Sequence, residues 1–261
     1  MMLQSLHRGW QGFCQHFVTK KPSSAEGAIV LPPDLVNRLS HEMRTSLTGI
    51  VGYAEFIEAG AEPAMVNFTA KIIRESSQEL ARSVQSFIDL YQVMLAPSHL
   101  LCKEFVAAKE IHALVQKYQA QAHALDVSLI FNGADDVLSV TLRSDLERFT
   151  KMLEALIGGG LVSATRGAVL VVALSLRSEQ QAIELAIYEV GGADKSVQSK
   201  LMQQFWSEPD YIYKMQEGPG VDMALAKALL ISLKGQAEFK SVKGQGDQLR
   251  LLLPLYLSVS E

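Results

Sequence analysis

Residues 39–57, LSHEMRTSLTGIVGYAEFI, carry the hydrophobic repeat that decides the first element of the fold. Apolar side chains recur there every seven residues, and a second set fills the other half of the stripe: Val36, Met43, Ile50 and Ile57, with Leu39, Leu47 and Ala54. This spacing predicts a coiled-coil-like helix whose stripe packs in a seam. His41 lies off the stripe, so we expect its ring to be exposed, with a nucleophilic nitrogen available.

A second helix of the same kind follows the first. Gly60 and Pro63 interrupt the first pattern, and the seven-residue repeat then resumes at Ile73, Leu80, Phe87 and Met94. Two such helices joined by a short break form an antiparallel hairpin. One hairpin leaves a wide apolar face unburied, and pairing two hairpins into a four-helix bundle buries it. We therefore expect a homodimer.

The pattern changes to mixed helices and strands beyond Pro97. Strands are predicted at 99–105, 127–131, 168–176, 182–190, 237–242 and 249–255, and helices at 107–124, 144–157 and 221–233, the last closed by Gly235. This arrangement predicts an α+β sandwich in which helices cover one face of a mixed sheet. The chain then divides into an N-terminal helix and linker (1–33), a helical hairpin (34–97) and a sandwich domain (98–261).

Composition excludes several classes of function. The chain has 261 residues, a formal net charge of −4 and two distant cysteines, Cys14 and Cys102. It has no basic stripe for nucleic acid, no cysteine spacing for a disulfide framework or zinc, and no apolar run of about 18 residues. A cytoplasmic protein is expected.

A helical stripe within 3–18 suits a partner helix, and membrane contact by this segment is the less favoured alternative.

The run 39–57 resembles the H-box of two-component histidine kinases, in which S-H-E-[LM]-R-T-P-L begins a helix of this pattern. The resemblance implies that His41 is the phospho-accepting residue and Glu42 its acid/base neighbour. Glu42 and Thr45 also match the E-x-x-T pattern associated with dephosphorylating the partner regulator. Ser46 replaces the usual proline, which predicts a straighter helix because proline removes an intrahelical hydrogen bond. A receiver domain is expected to dock below His41, on a surface formed by Arg44, Thr45, Thr48, Gly49 and Gly52.

The resemblance extends to about residue 257, but the positions of the ATP site are altered. Residues 144–172 resemble the N-box, and its two asparagines fall on Ala155 and Gly159, neither of which can ligate magnesium. Residues 185–195 resemble the D-x-G-x-G box, with Glu189 one methylene longer than the aspartate that receives adenine.

The glycines of the D-x-G-x-G box and of the lid motif are retained in part. Gly191 belongs to the D-x-G-x-G box, and residues 217–230 resemble the G-T-G-L-G-L lid, with Gly218 and Gly220 kept. Asp222 stands where another glycine belongs, and its charge would repel a triphosphate. Gly191, Gly218 and Gly220 have a structural explanation that involves no nucleotide: each can be required by a turn of the backbone.

The fold is thus expected to be retained without the usual nucleotide chemistry. We expect a phosphorelay protein whose His41 exchanges phosphate with the aspartate of a response-regulator receiver. Binding of ATP and magnesium is expected to be lost or weak, because transfer from ATP needs a metal and positioned charges. Two alternatives stay open: a divergent but active histidine kinase, and a non-catalytic pseudokinase module that regulates a sensor histidine kinase by forming mixed dimers.

Overall fold

The computed structural model of the chain describes residues 33–95, 100–191, 196–207, 220–242 and 246–257. Its described residues divide into two compact units, the first ending at residue 85 and the second beginning at residue 86. The predicted N-terminal helix and all but the last residue of the linker lie outside the described residues.

The first unit is built on a helical hairpin. Helix α1 spans Pro33–Glu58 and helix α2 spans Pro63–Leu95, of which the part up to residue 85 belongs to this unit. Gly60 makes the turn with φ +93°, and its N–H donates to the carbonyl of Ile57 at 3.1 Å. Proline suits the first position of a helix, since the N–H it lacks would have no intrahelical partner. The predicted break at Gly60 and Pro63 is confirmed.

The apolar stripe of α1 is only half-buried in the single chain. Its four heptad residues are all of intermediate exposure: Val36, Met43, Ile50 and Ile57. Near the turn, two large side chains of α1 and two of α2 are exposed by 38–56%: Tyr53, Phe56, Met65 and Phe68. The helix runs unbroken through Ser46, whose side chain is buried. One hairpin therefore leaves apolar area that a further surface can cover.

In its described residues, the second unit has seven strands and four α-helices in addition to the end of α2. In chain order they are β1 Cys102–Val106, α3 Ala107–Ala124, β2 Ser128–Gly133, β3 Thr141–Asp145, α4 Leu146–Ser163, β4 Val169–Arg177, β5 Ala182–Val190, α5 Ser196–Ser207, α6 Val221–Ser232, β6 Gln236–Val242 and β7 Gly246–Pro254. Five strands form a sheet in the order β2-β4-β5-β7-β6, in which only β2 and β4 are parallel. Strands β1 and β3 form a separate antiparallel pair. The predicted α+β fold with a mixed sheet is confirmed.

Burial along the strands shows which face of the sheet the helices cover. In β5, the buried side chains of Ile183, Leu185 and Ile187 alternate with half-buried neighbours. Helix α3 packs on β2 and on α4, and α4 packs in turn on α6. The core lies between this helical layer and the sheet, as a one-sided sandwich requires.

Three features differ from the sequence-based expectation. The first predicted strand begins at Cys102 rather than at residue 99, and it pairs with β3. The sequence does not predict β3, because its residues, TLRSD, lack an apolar alternation. Helix α4 continues through Gly158–Gly160 to Ser163, six residues beyond its predicted end, because buried residues such as Leu161 hold this stretch in place. Helix α5 had also not been predicted.

Candidate functional site

The outer surface of α1 carries the predicted phospho-acceptor. His41 is exposed in the single chain, as its position off the heptad stripe predicts. Arg44, Thr45 and Thr48 are exposed on the turns that follow it, and Gly52 is exposed with open space around it. The residues predicted to receive a docking partner therefore share an accessible stretch of one helix.

Glu42 is held by a residue that the sequence analysis missed. Arg38 Nε donates to Glu42 Oε1 at 3.1 Å, and both side chains are half-buried, with exposed fractions of 25% and 20%. The pair has the i, i+4 spacing that joins opposite charges on a helix, so the pattern was visible in the sequence. The contact limits the rotamers of a carboxylate that directly follows the acceptor histidine.

Thr45 and Gly49 show how the surface below His41 is built. Thr45 Oγ1 donates to the carbonyl oxygen of His41 at 3.0 Å, so its lone pairs remain available to accept from a water. A Cβ atom at Gly49 would lie 3.2 Å from Ser76 Oγ of α2. Glycine thus allows the two helices to approach closely at this level.

Three residues of the predicted altered nucleotide site, Ala155, Gly159 and Asp222, lie on α4 and α6. Ala155 and Gly159 are four residues apart and share a face of α4. Ala155 is buried, and a Cβ atom at Gly159 would lie 2.5 Å from Met223 Cε of α6. Met223 lies within the lid-like segment 217–230, but its approach to Gly159 is not visible in the sequence, because this contact joins residues far apart in the chain. The space beside Gly159 is therefore occupied by the protein itself.

Glu189 is engaged in the same part of the second unit. Its Oε1 accepts from the backbone N–H of Thr165 at 2.9 Å, in the loop that follows α4. Gly191, two residues on, has φ +81° and is exposed, which confirms its predicted turn requirement. The carboxylate that matches the adenine-binding position thus contributes to the folded structure of the chain.

The start of α6 gives a mixed result for the lid motif. Gly220 is the N-cap with φ −58°, a value that any residue adopts, so the turn requirement predicted for it is wrong. Gly218 lies outside the described residues. Asp222 is in the first turn, where the helix dipole favours a negative charge. Its Oδ1 is buried and has no hydrogen-bond partner among the described residues.

Neither a metal site nor a membrane span is found in the described part of the chain. Over those residues, no three His, Cys, Asp or Glu side chains are grouped so that they could hold a metal ion. Nor does any helix placed by the structure combine the length and apolar character needed to cross a bilayer.

Comparison with known proteins identifies the first domain. The model of the His Kinase A (phospho-acceptor) domain matches residues 34–94. The chain is 25% identical over 241 residues to the circadian input-output histidine kinase CikA of Synechocystis, covering 88% of this chain and 32% of that protein. It is 27% identical over 227 residues to the sensor protein DivL of Caulobacter vibrioides, covering 86% and 28%. The chain spans about a third of the length of these curated relatives.

Solved structures resemble the fold across both domains. The histidine kinase AdeS of Acinetobacter baumannii matches with a TM-score of 0.56 at 16% identity, covering 82% of this chain and 98% of that one. The histidine kinase ThkA, solved in complex with response regulator protein TrrA, matches with a TM-score of 0.58 at 15% identity, covering 85% and 61%. Residues 34–94 therefore match the phospho-acceptor domain of histidine kinases, and the chain is similar over most of its length to two-component histidine kinases, with a second domain folded like their catalytic domain.

Proposed function

We propose that the protein is a cytoplasmic phosphorelay component whose His41 exchanges phosphate with the aspartate of a response-regulator receiver, without ATP-dependent kinase activity of its own. The observation that carries this proposal is a contrast between two sites. His41 is exposed beside Glu42 and Thr45, whereas Gly159 and Glu189 in the second domain are in contact with other parts of the chain.

The exchange needs little from this protein beyond a well-placed nucleophile. A ring nitrogen of His41 attacks the phosphorus of the receiver's aspartyl phosphate, an N–P bond forms, and the P–O bond to the carboxylate breaks. The released carboxylate keeps the electron pair of that bond. Glu42 accepts the ring proton or orients the imidazole, and the receiver supplies the metal and its acidic pocket. No nucleotide takes part.

The surface around His41 suits a docking partner of this kind. The exposed hydroxyls of Thr45 and Thr48 and the uncovered backbone at Gly52 present small, polar groups to an incoming domain. The half-buried stripe of the hairpin supports a homodimer in which two hairpins form a four-helix bundle. The match to ThkA, solved with a response regulator, is in line with a receiver partner.

Transfer from a phosphorylated receiver tests the proposal directly. Candidate receivers carrying labelled phosphate are mixed with the full chain, and phosphohistidine is located by mass spectrometry. We expect label at His41, loss of acceptance in His41→Gln, and no change in His112→Gln, which removes another exposed histidine, on α3.

A second arm tests the ATP-dependent alternative. The full chain is incubated with labelled ATP and magnesium in the absence of a receiver. We expect no labelling of His41. Labelling that disappears in His41→Gln would identify a divergent but active kinase and would contradict the proposal.

A further inference from the structure

We propose that Met223 closes the cleft between α4 and α6 from within, so that the second domain excludes nucleotide by its packing as well as by its missing ligands. This inference deepens the proposed function and rests on its view that the second domain works without ATP. It assigns a role to Met223, which stands where the lid motif has its last leucine.

The first support is the position of the Met223 methyl group. A Cβ atom at Gly159 would lie 2.5 Å from Met223 Cε, well inside the distance at which two carbon atoms attract each other. Gly159 and Met223 are both half-buried, so the contact lies near the rim of the core. A side chain at position 159 must therefore shift the flexible end of the Met223 side chain.

The second support comes from neighbouring positions in the same helix and loop. Ala155, one turn before Gly159, is buried, so this face of α4 is apolar and covered. At the end of α4, Glu189 Oε1 accepts from Thr165 N–H and ties strand β5 to the loop. Ala155 and Glu189, which match nucleotide-binding positions in the family resemblance, are thus both part of the packed structure.

A stability cycle tests whether the contact exists in solution. Replacing a helix-interior glycine with alanine normally stabilises a protein, by about 2–4 °C in melting temperature for a chain of this size. We expect Gly159→Ala to give less than this rise in the wild-type background, because its Cβ meets the end of the Met223 side chain, which must shift. In a Met223→Ala background the same change should raise the melting temperature by the full value of about 2–4 °C.

Two further variants keep the cycle interpretable. Gly158→Ala is the matched control, because its Cβ would meet Tyr118 only at 3.9 Å, an ordinary contact, and we expect a rise in both backgrounds. Met223→Leu shortens the side chain while conserving most of its volume, so it serves if Met223→Ala destabilises the domain too far. An equal rise for Gly159→Ala with and without Met223 would overturn the inference.

Nucleotide binding tests the consequence of the contact. Gly159→Asn restores a residue type able to ligate magnesium, but its side chain must enter the space held by Met223. We therefore expect ATP with magnesium to leave the melting temperature of Gly159→Asn unchanged, and an upward shift would overturn the inference. Failure of phosphate transfer to His41, with the stability cycle as expected, would instead contradict the proposed function and leave the closed cleft standing.

Discussion

Helix α1 and the α4–α6 interface use their motif residues in opposite ways. On α1, His41 and Thr45 are exposed, and Glu42 beside them is held by Arg38. At the α4–α6 interface and the adjoining end of β5, Gly159 and Glu189 serve contacts within the chain. An acceptor site needs one exposed ring on one helix, whereas nucleotide binding needs several elements to keep a cleft open. An acceptor site can therefore be retained in a chain whose nucleotide-binding cleft is lost.

The core of the second domain gives the largest expected effect and tests whether that domain is chiefly a scaffold. Phe149 of α4 is 1% exposed, and its ring centroid lies 5.2 Å from that of Phe105. Phe149→Ala should lower the free energy of unfolding by about 3–5 kcal/mol, measured by urea denaturation. Val162→Ala, on an exposed position of the same helix, should cost less than about 0.5 kcal/mol. Equal losses would contradict the described core.

The α1 site gives the next largest effect. Glu42→Gln keeps the size of the side chain but removes its capacity to take a proton. We expect phosphate transfer between the receiver and His41 to slow by about 100-fold, at the low end of general acid–base effects because phosphoryl transfer depends mainly on positioning. Single-turnover kinetics with labelled receiver measures the rate. Glu58→Gln, an exposed carboxylate near the hairpin turn, should leave the rate unchanged.

A pH-dependent effect is expected where the end of α2 packs in the second unit. Asp89 Oδ1 lies 3.0 Å and Glu147 Oε1 3.1 Å from Lys151 Nζ. Burial lowers the pKa of the Lys151 ammonium, but hydrogen bonds to Asp89 and Glu147 outweigh it and hold the pKa above its ordinary value. A raised lysine pKa stabilises the fold fully below the unfolded value of about 10.4, and the contribution disappears as the pH rises through the folded value.

Asp89→Asn removes one partner of that lysine. At pH 7 it should cost about 1–2 kcal/mol in the free energy of unfolding, because the Asp89 side chain is only 10% exposed. The difference in the free energy of unfolding between the wild type and the variant should become smaller at about pH 11, because Lys151 begins to lose its charge there. Glu75→Gln breaks the exposed Lys71–Glu75 pair and should cost no more than about 0.5 kcal/mol. A gap for Asp89→Asn that widens at high pH would contradict the assigned role of Lys151.

The smallest effect is expected at Glu189, where a structural role can be distinguished from a nucleotide-binding role. Glu189→Asp restores the residue type of the family motif, yet it shortens the arm that reaches Thr165 N–H. We expect a loss of about 1 kcal/mol in the free energy of unfolding, the value of one hydrogen bond. Glu189→Gln keeps the acceptor oxygen and should be nearly neutral. Thermal or urea denaturation of the three proteins compares them, and a stabilising Glu189→Asp would refute this role.

The local parts of the fold were predictable and the long-range parts were not. Helix α3 and strand β5 matched their predicted bounds, because the spacing of their apolar residues is written within one segment. Strand β3 was missed, since its pairing with β1 is not visible in either strand alone. For the site, exposure of His41 followed from its register. The approach of Met223 to Gly159 depends on how two distant helices pack, which no periodicity records.

Three consecutive glycines, Gly158–Gly160, lie within α4 and give its last turns little intrinsic helical preference. Relative to alanine they cost about 2–3 kcal/mol together, so neighbouring groups must hold this segment in shape. Leu170 of β4 lies close to Gly160, and Glu189 fastens the loop just beyond the helix. We expect backbone amides here to exchange with deuterated solvent sooner than those at the start of α4, marking the place where this domain first opens.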